Sequence, residues 1–307
     1  MGGAAHLGGM VGPMDLARLT AVDVHVHVEA DHDGRVSLPE DFAEASSAYF
    51  GAGHHRPTVA EIAAYYRERR IGAVVFTVDV EAFTGHPALS NEQIAEAAAR
   101  NSDVLVPFAS IDPAKGRAGA RQLRRLADQY GVRGVKFHPS IQGFAPNDGS
   151  AYPLLEVAQE VGLPALFHTG QTGIGAGMRG GGSVRLALSN PIMLDDVAIE
   201  FPDLTIIMAH PSFPWQDEAL AVATHKPNVY IDLSGWSPKY FPPQLVRYAN
   251  SLLQDKVMFG SDYPLITPDR WLADFAKLDI KPQVRPKILK DNAVRVLNLG
   301  QPGPGSP

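Results

Sequence analysis

The sequence predicts a single-domain α/β protein of the (β/α)8, or TIM-barrel, class. Three observations predict it. Eight short β-rich runs alternate with longer segments whose apolar residues recur at steps of three and four. Several of those runs are almost continuously apolar, as strands are when helices cover both faces of a parallel sheet. No Pro/Gly/Ser-rich linker divides the 307 residues, and eight β/α units suit a barrel of that length. A doubly wound open sheet is the alternative arrangement.

The first run is AVDVHVHV (21–28). Side chains alternate along a strand, so His25 and His27 point one way and Val24, Val26 and Val28 the other. The connection from 29 to 57 is long enough to form a lid over that strand's C-terminal end. The helix pattern TVAEIAAYYRER then leads into GAVVFTVD (72–79), and NEQIAEAAARN into VLVPFASI (104–111). GARQLRRLADQY precedes GVKFH (134–138), where Lys136 and His138 share a face, and YPLLEVAQEVG precedes LPALFH (163–168). LTIIMAH (204–210), NVYIDLS (228–234) and KVMFGSD (256–262) complete the eight. The barrel is expected over 19–298, with a disordered extension at 1–18 and a disordered Gly/Pro/Ser tail at 299–307.

Composition narrows the function. With 27 Lys+Arg against 33 Asp+Glu, the net charge of −6 gives no pull toward a polyanion, so a small-molecule substrate is expected and neither nucleic acid nor membrane. No apolar run approaches the roughly 18 residues of a membrane span, and the N-terminus lacks the basic and apolar regions of a secretory signal. The cytoplasm is the expected compartment. The absence of cysteine removes thiolate metal sites and cysteine nucleophiles, so any metal must be held by imidazole and carboxylate.

Eleven histidines are available, and their placement carries the chemistry. Two imidazoles on one strand face can chelate one ion; two hydrogen-bonded core histidines are the plainer reading of that pair alone. Three further runs end in an ionisable residue: the fifth at His168, the sixth at His210, the eighth at Asp262. In a barrel the C-terminal strand ends converge on one mouth, so these residues meet. His25, His27 and His168 as neutral nitrogen donors and Asp262 as an oxygen donor suit one divalent ion, zinc first, with manganese or iron as alternatives. Such an ion lowers the pKa of a bound water toward about 7. His210 is a candidate base for that water's proton, and Asp262 can share the role through its second oxygen.

The run DVHVH in the first strand, His168, AHP at 209–211 and GSDYP at 260–264 together resemble the amidohydrolase superfamily. Within it, the sequence is similar to the branch that includes aminocarboxymuconate semialdehyde decarboxylase and related metal-dependent hydrolases. The resemblance implies His25, His27, His168 and Asp262 as ligands of one metal, with His210 beside the bound water, and it allows a homodimer. KFHPSIQGFAPND, HPSFPWQDEAL and NVYIDLSGWSPKYFPPQLV are similar to hydrolases acting on hydroxyphenyl β-ketoacyl-CoA compounds, which implies carbon–carbon bond hydrolysis in aromatic compound catabolism. Binuclear relatives carry a bridging carboxylated lysine in the fourth strand. Here Lys136 is that bridge, a cation for a substrate carboxylate or enolate, or a lysine paired with a barrel carboxylate. We take the mononuclear reading, with Lys136 and His138 facing substrate.

Gly175, Gly177 and Gly180 have GxGxxG spacing but follow the fifth strand without opening straight into a helix, so they read as a loop at the mouth and not as a dinucleotide site. Arg179 and Arg185 in that loop are candidate anchors for an anionic substrate group. Trp236 and Trp215 follow the seventh and sixth strands and offer a face to a flat substrate. His32, His54, His55 and His225 read as surface residues, His54 or His55 being able to reach the site from a closed lid. The expected activity is a metal-dependent hydrolase whose activated water attacks a carbonyl carbon. A non-oxidative decarboxylase of an aromatic or dienoic acid is the alternative, and a catalytically silent metal- or ligand-binding barrel a second one.

Overall fold

A computed structural model of the chain describes residues 12–51, 53 and 55–301. The strands are β1 (Ala21–His27), β2 (Ile71–Phe76), β3 (Leu105–Pro107), β4 (Ala109–Ser110), β5 (Val135–Phe137), β6 (Ala165–His168), β7 (Ile206–Ala209), β8 (Val229–Asp232) and β9 (Val257–Met258). All pair in parallel, in the orders β1-β2-β3 and β4-β5-β6-β7-β8-β9. The eight sequence runs are all present. The third is cut into two because Pro107 has no N–H to continue the ladder. The chain still links the two sheets there, since Phe108 N–H donates to Val75 O (2.9 Å) and Ala109 N–H to Gly134 O (2.9 Å). On the other side Val24 N–H donates to Phe259 O (3.0 Å), Asp262 N–H to His25 O (3.0 Å) and His27 N–H to Tyr263 O (2.8 Å). The parallel strands thereby form the ring of a TIM barrel.

Twelve α-helices lie between and outside the strands among the described residues: α1 (Glu40–Phe50), α2 (Val59–Arg69), α3 (Glu81–Thr84), α4 (Asn91–Ala99), α5 (Gly116–Tyr130), α6 (Pro139–Gln142), α7 (Tyr152–Glu160), α8 (Met193–Glu200), α9 (Gln216–His225), α10 (Pro243–Ala249), α11 (Pro268–Phe275) and α12 (Asn292–Val296). None is long and apolar enough to cross a membrane. The helix α5 buries Ala120, Leu123, Leu126 and Ala127, a stripe at steps of three and four, while its arginines face outward. Thr58 starts α2 with a capping box: its hydroxyl accepts from Glu61 N and Glu61 accepts from Thr58 N. Two apolar layers result. Val22, Val74, Val106, Leu166, Ile207 and Met258 fill the ring, and Ile62, Tyr66, Leu123, Leu154 and Trp271 pack between strands and helices. Each such side chain, fully buried, stabilises the fold by about 1.5–3 kcal/mol.

Two details differ from the simple pattern. The β1–β2 register shifts between Asp23 and Val26, and Val24 joins the inner layer with Val22, while Val26 and Val28 lie in the outer one. The strict alternation expected for Val24 is broken by this bulge, so that Val24 before it lies on the inner side that His25 and His27 share after it. At the N-terminus, Met14 and Leu16 pack on the inner layer, and Lys290 Nζ donates to the carbonyls of Leu16 and Leu19. The ordered body thus begins before residue 19. The rest of the expected disordered extension, residues 1–11, and residues 302–307 of the tail lie outside the described residues.

Candidate metal centre

The C-terminal strand ends meet in a cavity of about 380 Å³. His27, Lys136, His138, His168, His210 and Asp262 line it, from β1, β5, β6, β7 and the segment after β9. His25 lies behind His27, with its Nε2 3.2 Å from His27 Nε2 and 3.3 Å from Asp262 Oδ1; His27 Nε2 is 3.1 Å from Asp262 Oδ1. For metal–ligand bonds of about 2.0–2.2 Å, ligand atoms lie about 3.3–3.6 Å apart at a tetrahedral ion and about 2.8–3.1 Å apart at octahedral neighbours. The observed triangle therefore fits one small divalent ion, and these three residues form a group able to hold one.

The protonation chemistry agrees with the geometry. Burial, reinforced by the Lys136 charge, holds His25 well below the ordinary histidine value, and burial also lowers His138 and His168. Burial brings His210 down to about 4, against the opposing pull of Asp262. Burial raises the Asp262 carboxyl, but the hydrogen bond from His27 and the charges of His27, His210 and Lys136 outweigh it, leaving a net lowering. A neutral imidazole at His25 and an ionised carboxylate at Asp262 are donors a divalent ion takes. Lys136 is fully buried, with Nζ 3.2 Å from His25 Nε2 and 5.0 Å above the Phe76 ring. Burial pulls its ammonium downward and that of Asp232 pushes its carboxyl upward.

His168 shares the cavity but stands outside the triangle. Its Nδ1 lies 2.9 Å from His210 Nε2, its ring stacks on His138 at 3.8 Å, and its buried Nε2 makes no hydrogen bond among the described residues. His138 Nδ1 is likewise buried and has no partner among the described residues. His210 is also held at Nδ1 by Ser234 Oγ, at 2.9 Å. Both His210 and Asp262 have left-handed backbones, φ 75° and 73°, uncommon for residues with a side chain and typical of strained functional positions. Gly235 makes room for the His210 ring: a Cβ there would lie 2.4 Å from His210 Nδ1.

Around this polar floor the walls are mostly apolar, with Val78, Ile141, Ile174, Phe50 and Trp236. The long first connection forms α1 over the cavity, where Gln171 Nε2 donates to the Tyr49 hydroxyl at 3.1 Å. Trp236 lines the cavity and packs at a tilt on Phe213. Arg179 is exposed and not part of the lining; the arginines that reach it are Arg56, paired with Glu40, and Arg270. His55 lines the mouth and meets the Tyr263 hydroxyl at 3.1 Å, whereas His54 lies outside the described residues.

Sequence reasoning missed the carboxylates behind the histidines. Asp232 Oδ2 lies 2.6 Å from His25 Nδ1. Asp23 Oδ1 accepts from His25 N and Ser261 N, and its Oδ2 accepts from the Tyr66 hydroxyl at 2.7 Å, so it ties β1 to the segment that carries Asp262. Asp232 carries the same signal as His168 and His210, an ionisable residue closing an apolar run, in NVYIDLS.

The comparisons with known proteins agree with this architecture. Protein fluG of Emericella nidulans is 26% identical over 177 residues, covering 53% of this chain and 19% of its own length, so the chain spans about a fifth of that relative. The uncharacterized TIM-barrel protein Bb4693 of Bordetella bronchiseptica is similar in structure with a TM-score of 0.72 at 23% identity, covering 92% of this chain and 99% of that one. 5-Carboxyvanillate decarboxylase of Sphingomonas paucimobilis gives 0.63 at 17% identity over 91% and 99%. A dihydroxybenzoic acid decarboxylase of Polaromonas, solved with bound manganese and the inhibitor 2-nitroresorcinol, gives 0.64 at 15% identity over 92% and 98%. These likenesses establish a shared fold. The amidohydrolase family model matches residues 22–299, nearly the whole chain, and the protein belongs to that family.

Proposed function

We propose that the protein is a metal-dependent hydrolase acting at a carbonyl carbon of a small, flat substrate, aromatic or β-ketoacyl, with cleavage of a carbon–carbon bond. The observation that carries this reading is the ligand triangle beside a buried lysine on the floor of a cavity with mostly apolar walls. His25, His27 and Asp262 would hold one divalent ion, with His168 Nε2, which has no partner among the described residues, as a further donor; zinc suits the set, and manganese, present in a structural neighbour, or iron are alternatives. When bound, the ion supplies Lewis acidity, polarising a carbonyl and acidifying water.

The chain's own residues do the rest. Asp262 has a second oxygen without a hydrogen bond among the described residues, suited to accept a proton from the attacking water. His210, held by His168 and Ser234, is the second proton acceptor. Water oxygen bonds to the carbonyl carbon, the adjacent carbon–carbon bond breaks, the departing enolate takes up one of the water's two protons and the other leaves to solvent, giving a carboxylate and a neutral fragment. The Lys136 ammonium lies where it can stabilise the enolate's oxygen, and His138 and Trp236 orient the substrate.

A second reading is non-oxidative decarboxylation of an aromatic acid, favoured by a buried lysine able to hold a carboxylate and by structural neighbours named as decarboxylases. Turnover of β-ketoacyl thioesters and hydroxybenzoates in ¹⁸O-labelled water separates the two. Hydrolysis places one label in the carboxylate product. Carbon dioxide release with a product that gains only hydrogen would reject hydrolysis.

A further inference from the structure

The segment 232–235, DLSG, touches His25, which lies behind the cavity, and His210, which lines it. Asp232 is fully buried, with Oδ2 at 2.6 Å from His25 Nδ1 and Oδ1 accepting from Ser234 N at 2.7 Å. Ser234 Oγ is 2.9 Å from His210 Nδ1. The site is closed around Asp232: a Cβ on Gly260 would lie 2.3 Å from its Oδ1. In its ionised form Asp232 only accepts, and the partner nitrogen then carries the hydrogen. A neutral imidazole has one ring hydrogen, and placing it on Nδ1 leaves a lone pair on Nε2, the atom 3.2 Å from His27 Nε2 and 3.3 Å from Asp262 Oδ1.

We propose that Asp232 is a positioning residue: it fixes the ring plane and tautomer of His25, aiming the His25 Nε2 lone pair into the ligand triangle. This rests on the reading of that triangle as a metal site. Asp232 does not line the cavity. Its short bond to His25 and its bond from Ser234 N hold the carboxylate in one orientation, and the same turn then places Ser234 against His210. One backbone segment thus sets two imidazoles, one among the candidate ligands and one beside them. With Asn at 232 the side-chain NH₂ can donate to His25 Nδ1 instead, moving the ring hydrogen to Nε2 and blocking the lone pair. The change is nearly isosteric, so packing is retained.

The test has two parts. In the full-length protein stripped of metal and labelled with ¹⁵N-histidine, long-range ¹H–¹⁵N correlations, assigned to His25 by a His25→Gln variant, should show hydrogen on Nδ1. Chelator competition with Zn²⁺ and Mn²⁺ should then show Asp232→Asn weakening affinity about 10- to 100-fold, with the same change at the exposed, remote Asp203, Asp203→Asn, staying within about twofold of the parent. A purely structural role would lower the melting temperature of the metal-free protein without this selective loss. Hydrogen on Nε2 of His25 in the unaltered protein, or Asp232→Asn within about twofold of parent affinity, would overturn the proposal. If the variant does not fold, the measurement on the unaltered protein decides. A parent with the Nδ1 hydrogen but no metal affinity would support the Asp232–His25 assignment and reject the metal reading.

Discussion

The Tyr66 hydroxyl should be worth far more to stability than its single oxygen suggests. Tyr66 is fully buried and its hydroxyl donates to Asp23 Oδ2 at 2.7 Å; the next nearest polar atom is Ser261 Oγ at 3.4 Å. Tyr66→Phe keeps the ring and its packing, so the cavity contribution for one missing oxygen is below about 0.5 kcal/mol. What is lost is a hydrogen bond to a buried carboxylate, about 1.5–3 kcal/mol, leaving the Ser261 hydroxyl and the backbone N–H groups of His25 and Ser261 beside Asp23. Tyr65→Phe is the control. Its hydroxyl donates to the exposed Asp269 at 3.0 Å, and losing a solvent-accessible bond costs about 0–1 kcal/mol. Urea unfolding of the metal-free proteins, compared at equal slope, reads both values. A Tyr66→Phe loss below about 0.5 kcal/mol, or equal to that of Tyr65→Phe, would refute the account of Asp23 as an anchor that needs the Tyr66 donor.

Further outcomes follow from the same contacts. Gly235→Ala puts a Cβ 2.4 Å from His210 Nδ1 at a residue with φ 74°; the displaced ring should cut kcat about 100-fold with metal content unchanged, read by turnover and elemental analysis. Gly134→Ala puts a Cβ 2.3 Å from the Phe108 ring inside the barrel and should destabilise by about 1–3 kcal/mol, measured by urea unfolding. The backbone and hydroxyl of Thr58 hold Glu61 below its ordinary value of 4.5. A lowered folded value means that this carboxylate's stabilisation is present above that ordinary value and lost as pH falls through the folded one. The stability gap between parent and Glu61→Gln should therefore close on going from about pH 7 to about pH 3, and a gap that persists in acid would contradict the capping box.

The barrel was legible because its signal is repeated. Eight apolar runs, each followed by a helical or irregular return, leave few other topologies, and the residues ending the fifth, sixth and eighth runs reach one cavity as convergence at the strand ends requires. The bulge at Val24 was not legible. It depends on backbone bonds to Phe259 and Tyr263, more than 230 residues away in sequence, and no local pattern encodes that closure. Asp232 was readable by the rule that found His168, but Asp before Leu-Ser-Gly also reads as an ordinary strand-ending turn residue. The arginines show the limit most clearly. Arg179 sits in a glycine-rich loop after a site strand, yet Arg56 and Arg270 reach the cavity, because loop folding over the mouth decides which long side chain turns inward. In the same way EDFAEASSAYF reads as part of a long connection; it forms α1 without a side-chain N-cap and brings Phe50 to the cavity wall.

The most direct measurement is divalent metal per chain, by mass spectrometry after purification without chelator or affinity metal and after reconstitution. It is to be made on the parent and on a His25→Ala, His27→Ala double variant. The ligand triangle predicts close to one ion in the parent and almost none in the variant. A parent that takes up no ion, or a variant that holds as much as the parent, would contradict the metal centre and the hydrolytic reading built on it.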